Sequence, residues 1–161
     1  GSDGEVSFAA GQPGDTVHYA LDGAGEIYLQ RGAYLANTDG VEISSKWQGM
    51  KGFFSGEGLI LLKCSGEGDL FFNSYGAILE IDVEDELFID TGFIVAFESS
   101  LSYNVTVLPG ARPGKNLKSF FLGGEGLVCR FSGKGKVWIQ TRQIGSLLNW
   151  VQAYRPVEKS S

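Results

Sequence analysis

The chain has 161 residues, 24 of them glycine, and carries 13 Lys and Arg against 19 Asp and Glu, a formal net charge of −6. That length supplies one domain (1–161) with a real core. The acidic balance argues against nucleic acid and against an electrostatic grip on anionic lipid, since both need clustered Lys and Arg.

In chain order, Gly1–Ser2 reads as a tag remnant, with Asp3 or Gly4 the first native residue. No basic-then-apolar leader and no run of membrane-spanning length is seen. "TVHYAL" (Thr16 to Leu21) alternates, with Val17, Tyr19 and Leu21 on one face and Thr16, His18 and Ala20 on the other. "EIYLQ", "LILLK" and "LFFNS" follow as short strands, and "ILEIDV" (Ile78 to Val83) places Leu79, Ile81 and Val83 on one face. "ELFID", "FIVAF", "YNVTVL", "LVCRF" and "KVWIQT" complete the set, each rich in β-branched and aromatic residues and bounded by Gly, Asp, Asn or Pro. Short strands at intervals of roughly ten residues predict an all-β sandwich, barrel or β-helix. Only "IGSLLNWVQAY" (Ile144 to Tyr154) has helical spacing, and a helix is predicted over 146–155, with Ser146 as cap and Pro156 as stop.

The chain also repeats itself. "KGFFSGEGL" from Lys51 returns as "KSFFLGGEGL" from Lys118, and "SGEGDLFFNS" returns as "SGKGKVWIQT"; Gly68 and Gly135 are 67 apart. "GEVSFAA" (Gly4 to Ala10) aligns with "GDLFFNS" and "GKVWIQT", and "YLQRGAYLA" aligns with "FIDTGFIVA". About two and a half copies of one unit are expected, over 4–55 (incomplete), 56–122 and 123–147 (incomplete), around a pseudo-symmetry axis. Glycines persist because tight corners need their backbone freedom, while core residues drift because a core asks for volume more than identity. Equivalent pairs, Phe71 with Trp138 and Leu35 with Val95, are expected to share burial.

"QRGAYLA", Trp47-Gln48-Gly49, "GEG-L-LL", "SYGAI-E", "DTGFIVAF" and "GGEGLV-RF-G-G-VW-QTR" together resemble the Aim (altered inheritance of mitochondria) family, from Gly4 to about Arg142. The resemblance implies an internally repeated, double-stranded-β-helix-like fold of pseudo-three-fold symmetry, as in the tryptophan RNA-binding attenuation protein. It also implies a non-enzymatic scaffold or interaction protein. The location implied is cytoplasmic for a bacterial-type member and mitochondrial for a eukaryotic one. The family pattern has a further segment before the "G-V-FA" strand, and this sequence departs from it there.

Catalytic chemistry finds no purchase. His18 is the one histidine, and it faces away from the apolar side of its strand, so neither a cupin-type metal site nor a hydrolase base is assembled. Cys64 and Cys129 lie in apolar runs without a CxxC or Cys/His partner and read as buried small hydrophobes. The acidic run Glu80 to Asp90 lacks calcium-loop spacing, and "GARPGKN" (Gly110 to Asn116) lacks a phosphate loop's spacing and Ser/Thr. No catalytic, cofactor or metal residue is therefore assigned. Asn73, Ser74, Gln140, Thr141 and Arg142 lie at equivalent strand ends that would ring the repeat axis. They are the candidate ligand or interface residues, read against the plainer view that strand ends are polar because they reach water. A protein partner or self-association is expected, with a small-molecule-binding module as the alternative. Self-association is favoured over the C-terminal helix folding back across an open end.

Overall fold

A computed structural model describes residues 4–44, 60–107 and 127–155. The motifs at 47–49, 51–59, 110–116 and 118–126 lie outside the described residues. The chain is mostly β, with curled sheets forming a half-barrel and one short helix. The strands are β1 (Thr16–Asp22), β2 (Ile27–Gln30), β3 (Tyr34–Asn37), β4 (Val41–Ser44) and β5 (Leu61–Asn73) in the first half. In the second half they are β6 (Ile78–Val83), β7 (Glu86–Asp90), β8 (Ile94–Glu98), β9 (Ser102–Val107), β10 (Leu127–Ser132) and β11 (Gly135–Gln140), before helix α1 (Ile144–Gln152). One sheet runs β1-β5-β2-β8-β11-β6, with β3 and β4 also on β5, and the other runs β7-β10-β9.

The strands arise where alternation predicts them. Along β1, Val17, Tyr19 and Leu21 pack against the core while Thr16, His18 and Ala20 are exposed. β6 keeps only part of its expected face: Ile81 and Val83 turn inward, but Leu79 is 49% exposed. "LILLK" and "LFFNS" are not two strands. They fuse into β5, because β4 pairs as far as Gly66 (opposite Val41) and carries the ladder through the bend. In the second half the pairing of β9 to β10 stops at Ser132 (opposite Ser102), and β10 and β11 separate at Gly133. Gly66 and Gly133 take φ of 105° and 109°, a region that only glycine enters cheaply.

One pairing scheme is used in both halves. His18 lies opposite Phe71, and Glu80 opposite Trp138. On the other side of those strands Ala36 faces Phe71, and Ala96 faces Trp138. Ile27 lies opposite Cys64 and Leu87 opposite Phe131. Between β2 and β3, and again between β7 and β8, a three-residue 3-10 turn is capped alike: Gln30 accepts from the Gly32 N–H, and Asp90 from the Gly92 N–H. The halves join through β2 on β8, with Tyr28 opposite Phe97 and Leu29 opposite Ala96.

Two apolar clusters form the core. One gathers Leu21, Ile27, Leu29, Cys64, Leu70 and Phe72 with Val95, Ala96 and Trp138, so it draws on both halves. The other gathers Val83, Ile94, Phe97, Cys129, Phe131 and Val137 around the second half. Fully burying each such large side chain contributes about 1.5–3 kcal/mol. The expected equality of burial fails in a consistent direction: Trp138 and Val95 are buried, whereas Phe71 and Leu35 are half-buried. Trp138 packs edge-on to Tyr19 and Phe72 of the first half, at 5.4 and 5.9 Å between ring centroids. Among the described residues, the rings that meet Phe71 are those of His18 and Phe8, at 5.1 and 5.5 Å.

Two further expectations are corrected. Gly4–Ala10 forms no strand, and Val6 and Phe8 are exposed. The helix starts at Ile144 rather than 146, so Ser146 lies inside it. Gln143 occupies the cap position without a side-chain cap bond, and the Ser146 hydroxyl donates instead to Gln143 Oε1 (3.2 Å).

Candidate interaction surface

The five polar residues singled out by the repeat come together where the chain passes from one half to the next. Ser74 Oγ accepts from the Asp15 N–H (3.3 Å) and donates to the Gly76 carbonyl (2.6 Å). Its counterpart Thr141 accepts from the Ala77 N–H at 2.9 Å. Gln140 Oε1 accepts from the Tyr75 N–H and its Nε2 donates to the Gly92 carbonyl, both at 3.0 Å. Arg142 lies over the Tyr75 ring, 5.8 Å from its centroid. Asn73 and Ser74 are buried; Thr141 and Arg142 are exposed. The loops 13–15, 75–77 and 142–143 run side by side, with the Gly76 N–H donating to Pro13 O (3.0 Å) and the Arg142 N–H to Tyr75 O (3.2 Å). Ser74, Gln140 and Thr141 therefore spend their hydrogen bonds on the backbone of Asp15, Tyr75, Gly76, Ala77 and Gly92, local side-chain-to-backbone bonding that fixes these loops.

Two further surfaces stand open among the described residues. The first is the pair of strand edges at β3 and β7. Among the described residues β3 pairs only β5, and β7 pairs only β10. Their counterparts β8 and β2 are paired on both sides. Burial follows: Ile94 through Phe97 of β8 are at most 2% exposed, whereas Tyr34 in β3 is 36% and Phe88 in β7 is 43% exposed.

The second surface is α1. Ile144, Leu147, Leu148, Trp150 and Val151 are each at least 41% exposed, Tyr154 just beyond the helix is 72% exposed, and no residue of the helix is buried. The Trp150 and Tyr154 rings meet at a tilt of 56°, 5.2 Å between centroids. The helix thus does not close over the sheets, and its nine residues, IGSLLNWVQ, carry no charge.

A family model for mitochondrial biogenesis AIM24 matches residues 1–142. The chain belongs to the AIM24 family. An uncharacterized protein of Streptococcus pyogenes is 27% identical over 161 residues, which is 98% of this chain and 62% of that protein. An X-ray crystal structure of a Streptococcus pyogenes protein superposes with a TM-score of 0.74 at 27% identity, covering 91% of this chain and 63% of that one. The chain thus spans about three-fifths of the length of these AIM24-like relatives.

The remaining chemistry of this AIM24-family chain is that of surface pairs and buried thiols. His18 Nε2 meets Asp69 Oδ1 at 2.6 Å in the open. In the second half the same two ladder positions hold Glu80 and Lys136, with the acidic and basic residues exchanged between the strands. The ion pairs Glu26–Lys63 and Glu86–Arg130 also occupy matching positions. Cys64 and Cys129 are free and buried, and burial pushes each thiol up to about 12. Among the described residues no three His, Cys, Asp or Glu side chains converge in a way that could hold a metal ion, and no helix is long and apolar enough to cross a membrane.

Proposed function

We propose that the chain is a non-catalytic interaction or scaffold protein that engages a protein partner through α1. The observation that carries the reading is a nine-residue helix with no charged side chain whose Leu147, Leu148, Trp150 and Val151 all face solvent. Trp and Tyr dominate interface energetics because they bury a large area at low entropic cost. An uncharged helix on a chain of net charge −6 suits a protein groove better than an anionic membrane.

The fold we propose is the family's repeated unit in a pseudo-three-fold, attenuation-protein-like arrangement. The matching ladders and the three adjacent loops at Pro13, Tyr75 and Arg142 support it. A small-ligand module at Asn73, Ser74, Gln140, Thr141 and Arg142 is the weaker reading, because Ser74, Gln140 and Thr141 already hold the backbone.

Affinity purification of the full-length protein from its host, beside the variants Leu148→Asp and Trp150→Asp, tests the proposal. Both residues are exposed, so both variants keep the wild-type melting temperature. The expected result is a partner lost from both variants. Equal recovery with wild type and variants overturns the assignment to α1.

A further inference from the structure

We infer that β7 and β3 are the two halves of a strand-pairing interface, and that the bare β7 edge of one chain takes the bare β3 edge of a second copy, head to tail. This goes beyond the helix reading and uses a different surface.

The argument rests on a pairing the chain already makes with itself. β2 and β8 join the two halves, with Ile27 opposite Glu98, Tyr28 opposite Phe97 and Leu29 opposite Ala96. β7 occupies the position of β2 in its half, with the same partner strand type, the same 3-10 turn after it and the same ion pair beside it. β3 occupies the position of β8, set against Phe71 as β8 is set against Trp138. One molecule therefore carries, unpaired among the described residues, both strands of an interface whose geometry it demonstrates elsewhere. Applying the β2–β8 register sets Leu87 opposite Thr38, Phe88 opposite Asn37 and Ile89 opposite Ala36.

Side-chain exposure marks what is missing. Tyr28 stacks on Phe97 at 5.3 Å, whereas Phe88, its counterpart, is 43% exposed. Ile94 through Phe97 of β8 are buried, whereas Tyr34, Leu35, Ala36 and Asn37 of β3 are half-buried or exposed. Bare edges of this kind offer a row of backbone donors and acceptors and invite pairing. Two features keep the contact modest. β3 carries Tyr34 and Asn37 where β8 carries Ile94 and Phe97, and each chain brings a net charge of −6. Association is therefore reversible and strengthens with salt, which screens the like charges. Because the two edges differ, the contact is heterologous: it adds chains until it closes into a ring or continues as a chain, rather than stopping at a two-fold dimer.

The test is light scattering behind a sizing column over a concentration series, with wild type, Phe88→Lys and Asn37→Lys, each checked for an unchanged melting temperature. Phe88 is exposed, so Phe88→Lys folds normally. Asn37 Nδ2 donates to the Thr38 and Val41 carbonyls, so if Asn37→Lys loses stability, Tyr34→Lys takes its place. The wild type is expected to gain mass with concentration, and each variant alone is expected to be a monomer. An equimolar mixture of a β3 variant and Phe88→Lys restores one-to-one association, because each brings the intact edge the other lacks. A wild type that stays monomeric at high micromolar concentration overturns the inference. So does a dimer that survives both substitutions, or a mixture that fails to re-associate. Loss of association in Trp150→Asp but not in Phe88→Lys overturns it too, and assigns the contact to α1. A monomer that still captures its host partner through α1 overturns the inference while the interaction reading stands.

Discussion

At the scale of single residues, the neighbours across the ladder decide what a side chain does. Trp138 is 2% exposed, wedged against Tyr19 and Phe72, and its indole N–H donates to Glu80 Oε2 at 3.0 Å. Its counterpart Phe71 sits half-buried under Phe8. Trp138→Ala should cost about 3–5 kcal/mol, the range for large-to-small change in a core, and Phe71→Ala distinctly less. Urea unfolding of both variants reads the difference; equal losses would mean that Phe71 is as enclosed as Trp138. Phe71 and Trp138 were equated from the sequence, but their difference in burial was not legible, because it depends on the rings the fold brings over each: Tyr19 and Phe72 on Trp138, His18 and Phe8 on Phe71. The two thiols were legible as buried, and burial raises both from 9.0 to about 12. Tyr19 and Tyr103 are raised as well, by burial first. A group whose folded pKa lies above its unfolded one contributes stability below the unfolded value and loses it as pH climbs toward the folded one. Stability should therefore decline above the 9.0 of a free thiol, by about 1.4 kcal/mol per pH unit for each cysteine. Denaturation midpoints measured from neutral to alkaline pH check this, and a flat profile there would contradict the buried thiols. At neutral pH neither thiol should react with an aromatic disulfide reagent until the chain unfolds.

At the scale of elements, the glycines marked corners correctly but not their kind. Both "SGEG" and "SGKG" read as turns between strands. The first is a bend inside the 13-residue β5, held by pairing to β4; the second breaks β10 from β11. A Cβ on Gly66 would collide with the Gly40 carbonyl, whereas a Cβ on Gly133 meets only Ser100 O at 3.6 Å. Both have positive φ, so both alanine variants carry a backbone penalty of about 1–3 kcal/mol, and Gly66→Ala adds a clash. Gly66→Ala should thus melt clearly lower than Gly133→Ala; the reverse order would mean that the bend is not the tight point. The helix was legible from its spacing, its start less so, since Ser146 is a good cap by type yet bonds Gln143 from within the helix. That α1 packs on nothing described could not be read from spacing, because an apolar stripe predicts a covering without saying what covers it.

At the scale of the whole molecule, the strand pairing explains both what is stable and what is open. Pairing β2 with β8 joins the halves and buries Trp138, Val95 and Ala96 between them. Among the described residues, β7 and β3 each lack the neighbour that β2 and β8 supply to one another. Of the five polar residues drawn from the sequence, Ser74, Gln140 and Thr141 hold backbone at the junction. The residues that sequence reasoning missed, Phe88 and Tyr34, looked like ordinary strand hydrophobics. The signal that could have found them is the alignment itself, which equates Phe88 with the covered Tyr28. Amide hydrogen exchange at the equivalent strands β2 and β7, measured at low and at high protein concentration, tests the central claim most directly. Amides of β2, paired on both sides, should be protected at every concentration. Those of β7 that point away from β10 should exchange freely in dilute protein and become protected as concentration rises. Protection of all β7 amides in dilute protein, equal to that of β2, would contradict the account.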